Sequence, residues 1–357
     1  MTPDQILLFC RPGFEPDLAA ELTDRLHAEF LAEGEGASAE PLMEEGLVRV
    51  SMDGEHPAND LHRRLRLDEL VFARQSLLAL PELSLSRDDR LSPIFEQLKA
   101  CGWSFESIWQ ETPDTNEAKA LSSLLKALER PLNSQLKKRG ALRRKAGGRR
   151  LHLVWRDGDR VQLAMSFPGN RSEFPGGIRR LRFPHAAPSR STLKLEEAWH
   201  EFVPRDEWDE RLGEGMQAAD LGAAPGGWTW QLVQRGMQVY AIDNGPMDKA
   251  LMASGMVEHL REDGFVWEPP MRLDWLVCDI VDKPSRVITM MERWLLQRWC
   301  REAVFNLKLP MKKRWEEVSL CLSGLASRLQ EAGVRAEIRC RHLYHDREEV
   351  TVHVRLD

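Results

Sequence analysis

Asp220, Asp243, Asp279 and Lys308 each stand at or beside the end of an apolar run in the C-terminal half of this 357-residue chain. Asp220 opens the stretch Asp220-Leu-Gly-Ala-Ala-Pro-Gly-Gly-Trp228, which reads as the end of a buried strand, a glycine-rich turn and the first turn of a helix. Gly222, Gly226 and Gly227 let the backbone pass close to a ligand, where a Cβ would collide. The run Gln238-Val-Tyr-Ala-Ile242 ends in Asp243. A carboxylate there, about twenty residues past the first glycine, can accept both hydrogen bonds of a ribose diol. Phe305-Asn-Leu-Lys308 puts a lysine at the end of an apolar strand, where loss of water favours the neutral amine, a proton acceptor. These residue types together suit a nucleoside-containing ligand held beside a base.

Elements able to position them alternate regularly from Ser191 onward. A helix over 192–203 places Leu195, Ala198, Trp199 and Phe202 on one side. The strand before Asp220 leads into a helix over 228–235, which stops at Gly236. After the strand ending at Asp243 come short strands at 265–268 and 275–278, the second ending at Asp279. Val287, Met291, Trp294 and Leu295 mark a helix, 302–309 a strand and 315–332 a further helix capped by Gly333. Strands at 334–341 and 349–356 finish the pattern. Alternation of this kind predicts an α/β, Rossmann-like doubly wound sheet over 191–357, with ligands beyond the carboxyl ends of its strands.

A dinucleotide site would need G-x-G-x-x-G, whereas here Pro225 precedes the Gly226-Gly227 pair and no phosphate cradle is spelled out. The stretch 220–227 instead resembles motif I of S-adenosylmethionine-dependent methyltransferases, and its Pro-Gly-Gly-Trp form resembles the FtsJ-like RNA 2′-O-ribose methyltransferases. That resemblance covers residues from about 185 onward. It implies a K-D-K-E tetrad: Lys194 in Thr192-Leu-Lys-Leu-Glu-Glu197, Asp279, Lys308, and a glutamate from Arg347-Glu-Glu-Val350. Glu349 aligns best, and Glu348 stays open. Implied roles are Lys308 as base toward a ribose hydroxyl, Lys194 as a cation steadying the developing alkoxide, and Asp279 and Glu349 as orienting carboxylates. For the cofactor, S-adenosylmethionine, the resemblance implies contacts from Asp220, Gly222, Ala224, Pro225, Gly226 and Gly227, with Asp243 at the ribose and Asp279 nearby. Asp263 would accept from the adenine amino group, an ordinary turn aspartate being the alternative, and Ser191 would touch the methionine end. Ala224 departs from the cysteine common in the family. No metal is expected, since no phosphoryl charge develops.

The N-terminal half is predicted as two α+β units: a ferredoxin-like unit over 1–85 and a second over 86–170, with a linker at 171–190. In the first, strands at 5–9, 47–52 and the strand-like Leu70-Val-Phe-Ala-Arg74 accompany a helix bearing Phe14, Leu18, Leu22 and Leu26, with 33–39 as a loop. In the second, helices span 93–100 and 116–129, the latter ended by Pro131, and a strand covers 107–110. Asp157-Gly158 marks a hairpin between 151–155 and 161–167. Helix, basic element and terminal hairpin resemble a THUMP domain, an RNA-binding module. With it, the whole chain resembles bacterial large-subunit ribosomal RNA methyltransferases acting on a cytidine 2′-hydroxyl, so large-subunit ribosomal RNA is the implied partner.

Net charge is −6, yet Lys137, Lys138, Arg139, Arg143, Arg144, Lys145, Arg149 and Arg150 crowd one stretch. A polyanion meets the local field, so this strip is the predicted RNA path. Six cysteines without a C-x-x-C pair read as reduced thiols. No apolar run nears the roughly twenty residues that span a bilayer, and the N-terminus lacks signal-peptide character. A cytoplasmic monomer is expected. Competing readings are an amino-group methyltransferase, which would want D/N-P-P-Y/F where this chain has Asp279-Ile-Val-Asp282, and a pyrimidine C5 enzyme, for which Cys278 faces the sheet interior. A third is a non-catalytic ribosome-assembly factor.

Overall fold

The computed structural model describes residues 3–30, 36–53 and 58–357. The chain forms two compact units, Met1–Ile178 and Arg179–Asp357.

The first unit is built on one sheet. Its strands are β1 (Gln5–Phe9), β2 (Gly36–Leu42), β3 (Leu47–Asp53), β4 (Gln75–Ala79), β5 (Leu83–Ser84), β6 (Ser107–Glu111), β7 (Arg150–Trp155) and β8 (Arg160–Ser166). They lie in the order β2-β3-β1-β4-β8-β7-β6, with β5 also paired to β8. The strands of both predicted N-terminal units thus share a single sheet, joined where Leu78 and Ala79 of β4 face Met165 and Ala164 of β8. Leu7, Leu77, Ala79, Val154 and Ala164 pack into one buried cluster across that junction. Residues 171–178, predicted as linker, are built into this unit. Glu173 pairs with Arg150 at 2.9 Å, and the Gly176 N–H donates to Glu111 at 2.6 Å.

Three local readings are corrected here. Residues 70–74 are not a strand: the buried Glu21 carboxylate accepts from the Val71 and Phe72 N–H groups at 2.6 and 3.0 Å, which takes the donors a neighbouring strand would need. The loop expected at 33–39 falls partly outside the described residues, but from Gly36 the chain is edge strand β2, where small half-exposed residues suffice. Pro131 does not end its helix, which runs Ser122–Lys138. An interior proline costs about 3 kcal/mol; here Leu132 and Leu136, both buried beyond it, offset that cost at roughly 1.5–3 kcal/mol per side chain.

The second unit has strands β9 (Gln217–Leu221), β10 (Gln238–Ile242), β11 (Val257–Leu260), β12 (Leu273–Cys278), β13 (Cys300–Lys308), β14 (Ala336–Arg341) and β15 (Glu349–Leu356). Their order is β11-β10-β9-β12-β13-β15-β14, parallel from β11 to β13, with β15 inserted antiparallel between β13 and β14. Near-continuous burial of β9, β12 and β13 is what a parallel sheet covered on both faces requires. One apolar layer gathers Leu195, Ala198, Trp199 and Phe202 against Trp275 and Val277, which fixes the helix Thr192–Phe202 on the sheet. The strand expected at 265–268 is a turn instead: Asp263 accepts from the Phe265, Val266 and Trp267 N–H groups, and Trp267 packs between Tyr240 and Trp294. Turn chemistry overrides the apolar pattern there. The strand next to β10 is β11.

Ala79→Asp would place a charge at the β4–β8 junction. Because both halves hang on that pairing, hydrogen exchange should accelerate together in β1 and β7; acceleration confined to one half would show that they unfold separately.

Candidate active site

The carboxyl ends of β9, β10, β12 and β13 carry Asp220, Asp243, Asp279 and Lys308 at one edge of the sheet. Asp279 follows β12 directly, and Lys308 closes the neighbouring β13. Glu349 opens β15 and sits directly opposite Lys308 in the ladder. Lys194 reaches the same point from the helix Thr192–Phe202, whose Leu193 and Leu195 are buried. That helix is itself tied down, because the buried Glu197 accepts from the Tyr344 and His345 N–H groups at 2.9 Å each.

Four charges meet there. Lys194 Nζ lies 3.0 Å from Asp279 Oδ2 and Lys308 Nζ 2.9 Å from Asp279 Oδ1. Both lysines also pair with Glu349, one with each carboxylate oxygen. Two basic and two acidic side chains, only 7–21% exposed, thus face one another with their formal charges balanced. Burial works against the Lys194 ammonium, but Asp279 and Glu349 outweigh it and hold the group above its ordinary value. Burial likewise opposes the Asp279 carboxylate, and the two lysines reverse this and hold it below the usual carboxylate range. Glu348 is exposed and pairs with Arg314 at 2.8 Å, so Glu349 is the glutamate brought to the cluster.

Beside the cluster lies the glycine turn. Gly222 has φ +77°, and a Cβ there would come within 2.7 Å of Ile280. At Gly227 a Cβ would meet Ser191 Oγ at 2.2 Å and Ser189 Oγ at 2.4 Å, so this glycine lets the helix Gly227–Gln234 start against the Lys194 helix. Ala224 and Pro225 bridge Gly222 to Gly226, which has φ +115°. Asp243 clasps two loops: one oxygen accepts from the Ala224 N–H at 3.0 Å, the other from the Gly245 N–H at 2.7 Å. Each oxygen keeps a lone pair for a further donor. Asp220 is buried and accepts from the Thr229 hydroxyl at 2.6 Å; burial pushes its carboxyl up to about 7, and Asp279 and Asp243 add to this. Asp263 is exposed and caps its own turn. The glycine turn thus lies among three carboxyl groups, Asp220 buried on Thr229, Asp243 on the loop N–H groups and Asp279 on the two lysines.

The basic strip is divided. Lys137, Lys138, Arg139, Arg143, Arg144 and Lys145 are exposed at and after the end of the helix Ser122–Lys138. Arg149 is half-buried and donates to the Ala146 carbonyl at 2.8 Å. Arg150 is 8% exposed, lies over the Trp109 ring and pairs with Glu173. It is a strut of the first unit, and its place in the predicted RNA path is withdrawn. Asn306, Thr351 and Asp346, not singled out in the sequence, contact the cluster or one another. Asn306 and Thr351 stand two positions from Lys308 and Glu349 on their strands, while Asp346 lies in the loop before β15 and carries no such signal. Among the described residues no group of three or more His, Cys, Asp and Glu side chains could hold a metal, and no helix is long and apolar enough to cross a membrane.

An α/β sheet carries a glycine cradle and a lysine–carboxylate cluster at its carboxyl edge, and comparison with known proteins identifies it as a methyltransferase. Residues 187–323 match the FtsJ-like methyltransferase family, 3–77 the RlmM ferredoxin-like domain, and 89–167 the N-terminal model of ribosomal RNA large subunit methyltransferase M. A protein of that last name from Chromohalobacter salexigens is 72% identical over 99% of this chain and 98% of its own length. Its namesake from Marinomonas is 49% identical over 97% and 98%. The chain belongs to the ribosomal RNA large subunit methyltransferase M family.

The raised Asp220 carboxyl has a stability signature. Unfolded, it ionises near ~3.9; folded, it holds its proton up to about 7. Its contribution is therefore full below the unfolded value and is lost as pH rises through about 7. Thermal melts of Asp220→Asn should gain on the parent from pH ~4 to ~7 and level off above, by on the order of 1–4 kcal/mol. A constant difference across that window would place the ionisation elsewhere.

Proposed function

We propose that this protein transfers the methyl group of S-adenosylmethionine to the 2′-hydroxyl of a cytidine in large-subunit ribosomal RNA. The observation that carries this reading is the pair of lysines bridged twice by carboxylates, Lys194 and Lys308 with Asp279 and Glu349, directly beside a glycine cradle. Family membership supports the ribosomal RNA substrate. S-adenosylmethionine, when bound, supplies an activated methyl group and a positive charge. Asp243 would hold its ribose diol, the 222–227 turn would admit its backbone-facing edge, and Ser191 would meet the methionine end.

A ribose hydroxyl is a weak acid and needs help with its proton during attack. Lys308, in its neutral form, accepts that proton through Nζ. Lys194 keeps its charge and faces the oxygen as negative charge develops. Asp279 and Glu349 set the direction of both amines, each through two oxygens. The neutral cluster can release one proton without accumulating charge only with a cation alongside. Loss of the Lys308 proton would otherwise leave two carboxylates facing one ammonium.

Single-turnover methyl transfer from labelled S-adenosylmethionine to unmodified large-subunit RNA tests the assignment. Lys308→Ala should slow transfer by roughly 10²–10⁴-fold with methyl-donor affinity unchanged. The parent's product should be a 2′-O-methylated nucleoside, and a base-methylated product would sink the reading. A second expectation concerns the exposed strip. Neutralising Lys137, Lys138, Arg139, Arg143, Arg144 and Lys145 should raise the KM for RNA and flatten the salt dependence, by about 0.7–0.9 in log–log slope for each phosphate no longer neutralised. Donor affinity should not move; if it falls, the strip supports the fold and not the RNA.

A further inference from the structure

Behind Asp279 a line of buried polar groups leads away from the lysines. Asn306 Nδ2 donates to Asp279 Oδ1 at 3.0 Å, the oxygen that also accepts from Lys308. Thr351 Oγ lies 2.8 Å from Asn306 Oδ1, and 3.1 and 2.9 Å from the two carboxyl oxygens of Asp346. The Leu343 N–H donates to Asp346 Oδ2 at 3.0 Å. Asn306, Thr351 and Asp346 are each 0% exposed. Asn306 and Thr351 are direct ladder partners, two positions along from the Lys308–Glu349 pair and on the same face of the sheet.

Proton counting fixes the direction of this chain. Asp279 is an anion, so Asn306 must turn its amide N–H toward it and its oxygen toward Thr351. That oxygen can only accept, so the single Thr351 hydroxyl proton goes to Asn306. Thr351 then has lone pairs and no proton for Asp346. Two acceptors in contact at 2.9–3.1 Å inside a dry interior would be costly. The conflict is relieved if Asp346 is a neutral acid that donates its one carboxyl proton to Thr351 Oγ.

We infer that Asp346, Thr351 and Asn306 form a one-way donor relay whose task is to hold the Asp279 carboxylate at the angle that aims Lys308. These are positioning residues; none touches the reacting atoms. Independently of the proton count, burial pushes the Asp346 carboxyl well above the usual range, with Glu349 and Glu197 adding to this and Lys194 opposing it. The relay also explains how the loop 342–348, which lies far from Lys308 in sequence, bears on it. A neutral carboxyl at 346 adds no charge to a cluster whose four charges already cancel.

The inference rests on the proposed base role of Lys308, and the experiment separates the two. Single-turnover methylation of unmodified large-subunit RNA is measured for the full chain and for Thr351→Val, Thr351→Ser, Asp346→Asn and Asp346→Leu, with donor affinity by calorimetry and folding by thermal melts. Thr351→Val keeps shape and loses the hydroxyl; it should slow transfer by roughly 10–100-fold, the scale of a small misplacement of a catalytic group, with KM and donor affinity unchanged. Thr351→Ser should restore most of the rate. Asp346→Asn presents an N–H donor in place of the acid's O–H and should stay near the parent, whereas Asp346→Leu should behave like Thr351→Val. Folded Thr351→Val and Asp346→Leu with parental rates would overturn the relay. Equal damage from Asp346→Asn and Asp346→Leu would overturn the donor role of Asp346. If Lys308→Ala itself retains activity, the base assignment fails instead, whatever the relay variants do.

Discussion

Charge cancellation in a nearly dry place is the constraint on which the catalytic unit depends. Lys194 comes from a helix, Asp279 from the residue after β12, and Lys308 and Glu349 from β13 and β15, and each carboxylate bridges both lysines. Breaking a buried ion pair by removing one member costs on the order of 3–5 kcal/mol, because the partner is left uncompensated. The requirement couples elements that share few other interests. The helix Thr192–Phe202 has to sit at a height where Lys194 reaches Asp279, and Glu197, one turn further along, anchors it to the loop before β15. Strand β15 has to run antiparallel, because only then does Glu349 fall beside Lys308.

Much of this could be read from the chain itself. The glycine turn after Asp220, the acid closing β10, and the lysine closing β13 are all properties of a few consecutive residues whose chemistry does not depend on distant partners. The same holds for most strands of the second unit, which are short, apolar and bounded by turn residues. At 265–268 the cause of the misreading is local, the turn built on Asp263, but most failures come from competition by a partner remote in sequence. Glu21 takes the backbone donors of Val71 and Phe72, and a stretch with strand composition becomes irregular. Leu132 and Leu136 find an apolar bed, and a helix continues through Pro131. Arg150, one cation among eight in sequence, is drawn inward by Trp109 and Glu173. Asn306 and Thr351 read as ordinary strand residues until β13 and β15 are set side by side.

The first unit shows the same lesson at larger scale. Turn signals and helices divide its sequence in two, and its family matches are likewise two. Pairing of β4 with β8 makes one sheet of both halves. The exposed cations that remain after Arg150 is removed all lie within the 107–150 segment, at the end of a helix and in the loop that follows it.

The position of β15 has a consequence for how the protein comes into being. It follows every other strand of its sheet in the chain, yet it lies inside the sheet, between β13 and β14. During synthesis Lys194 and Lys308 therefore exist for a time without Glu349, and the edge of β13 stays open until residues 349–356 arrive. The growing polypeptide can assemble a cradle for a nucleoside early, but it gains a compensated pair of lysines only at the final insertion. The paired cluster is thus withheld from the nascent molecule, and a chain that stops short of β15 has the glycine turn and both lysines but lacks the carboxylate of Glu349.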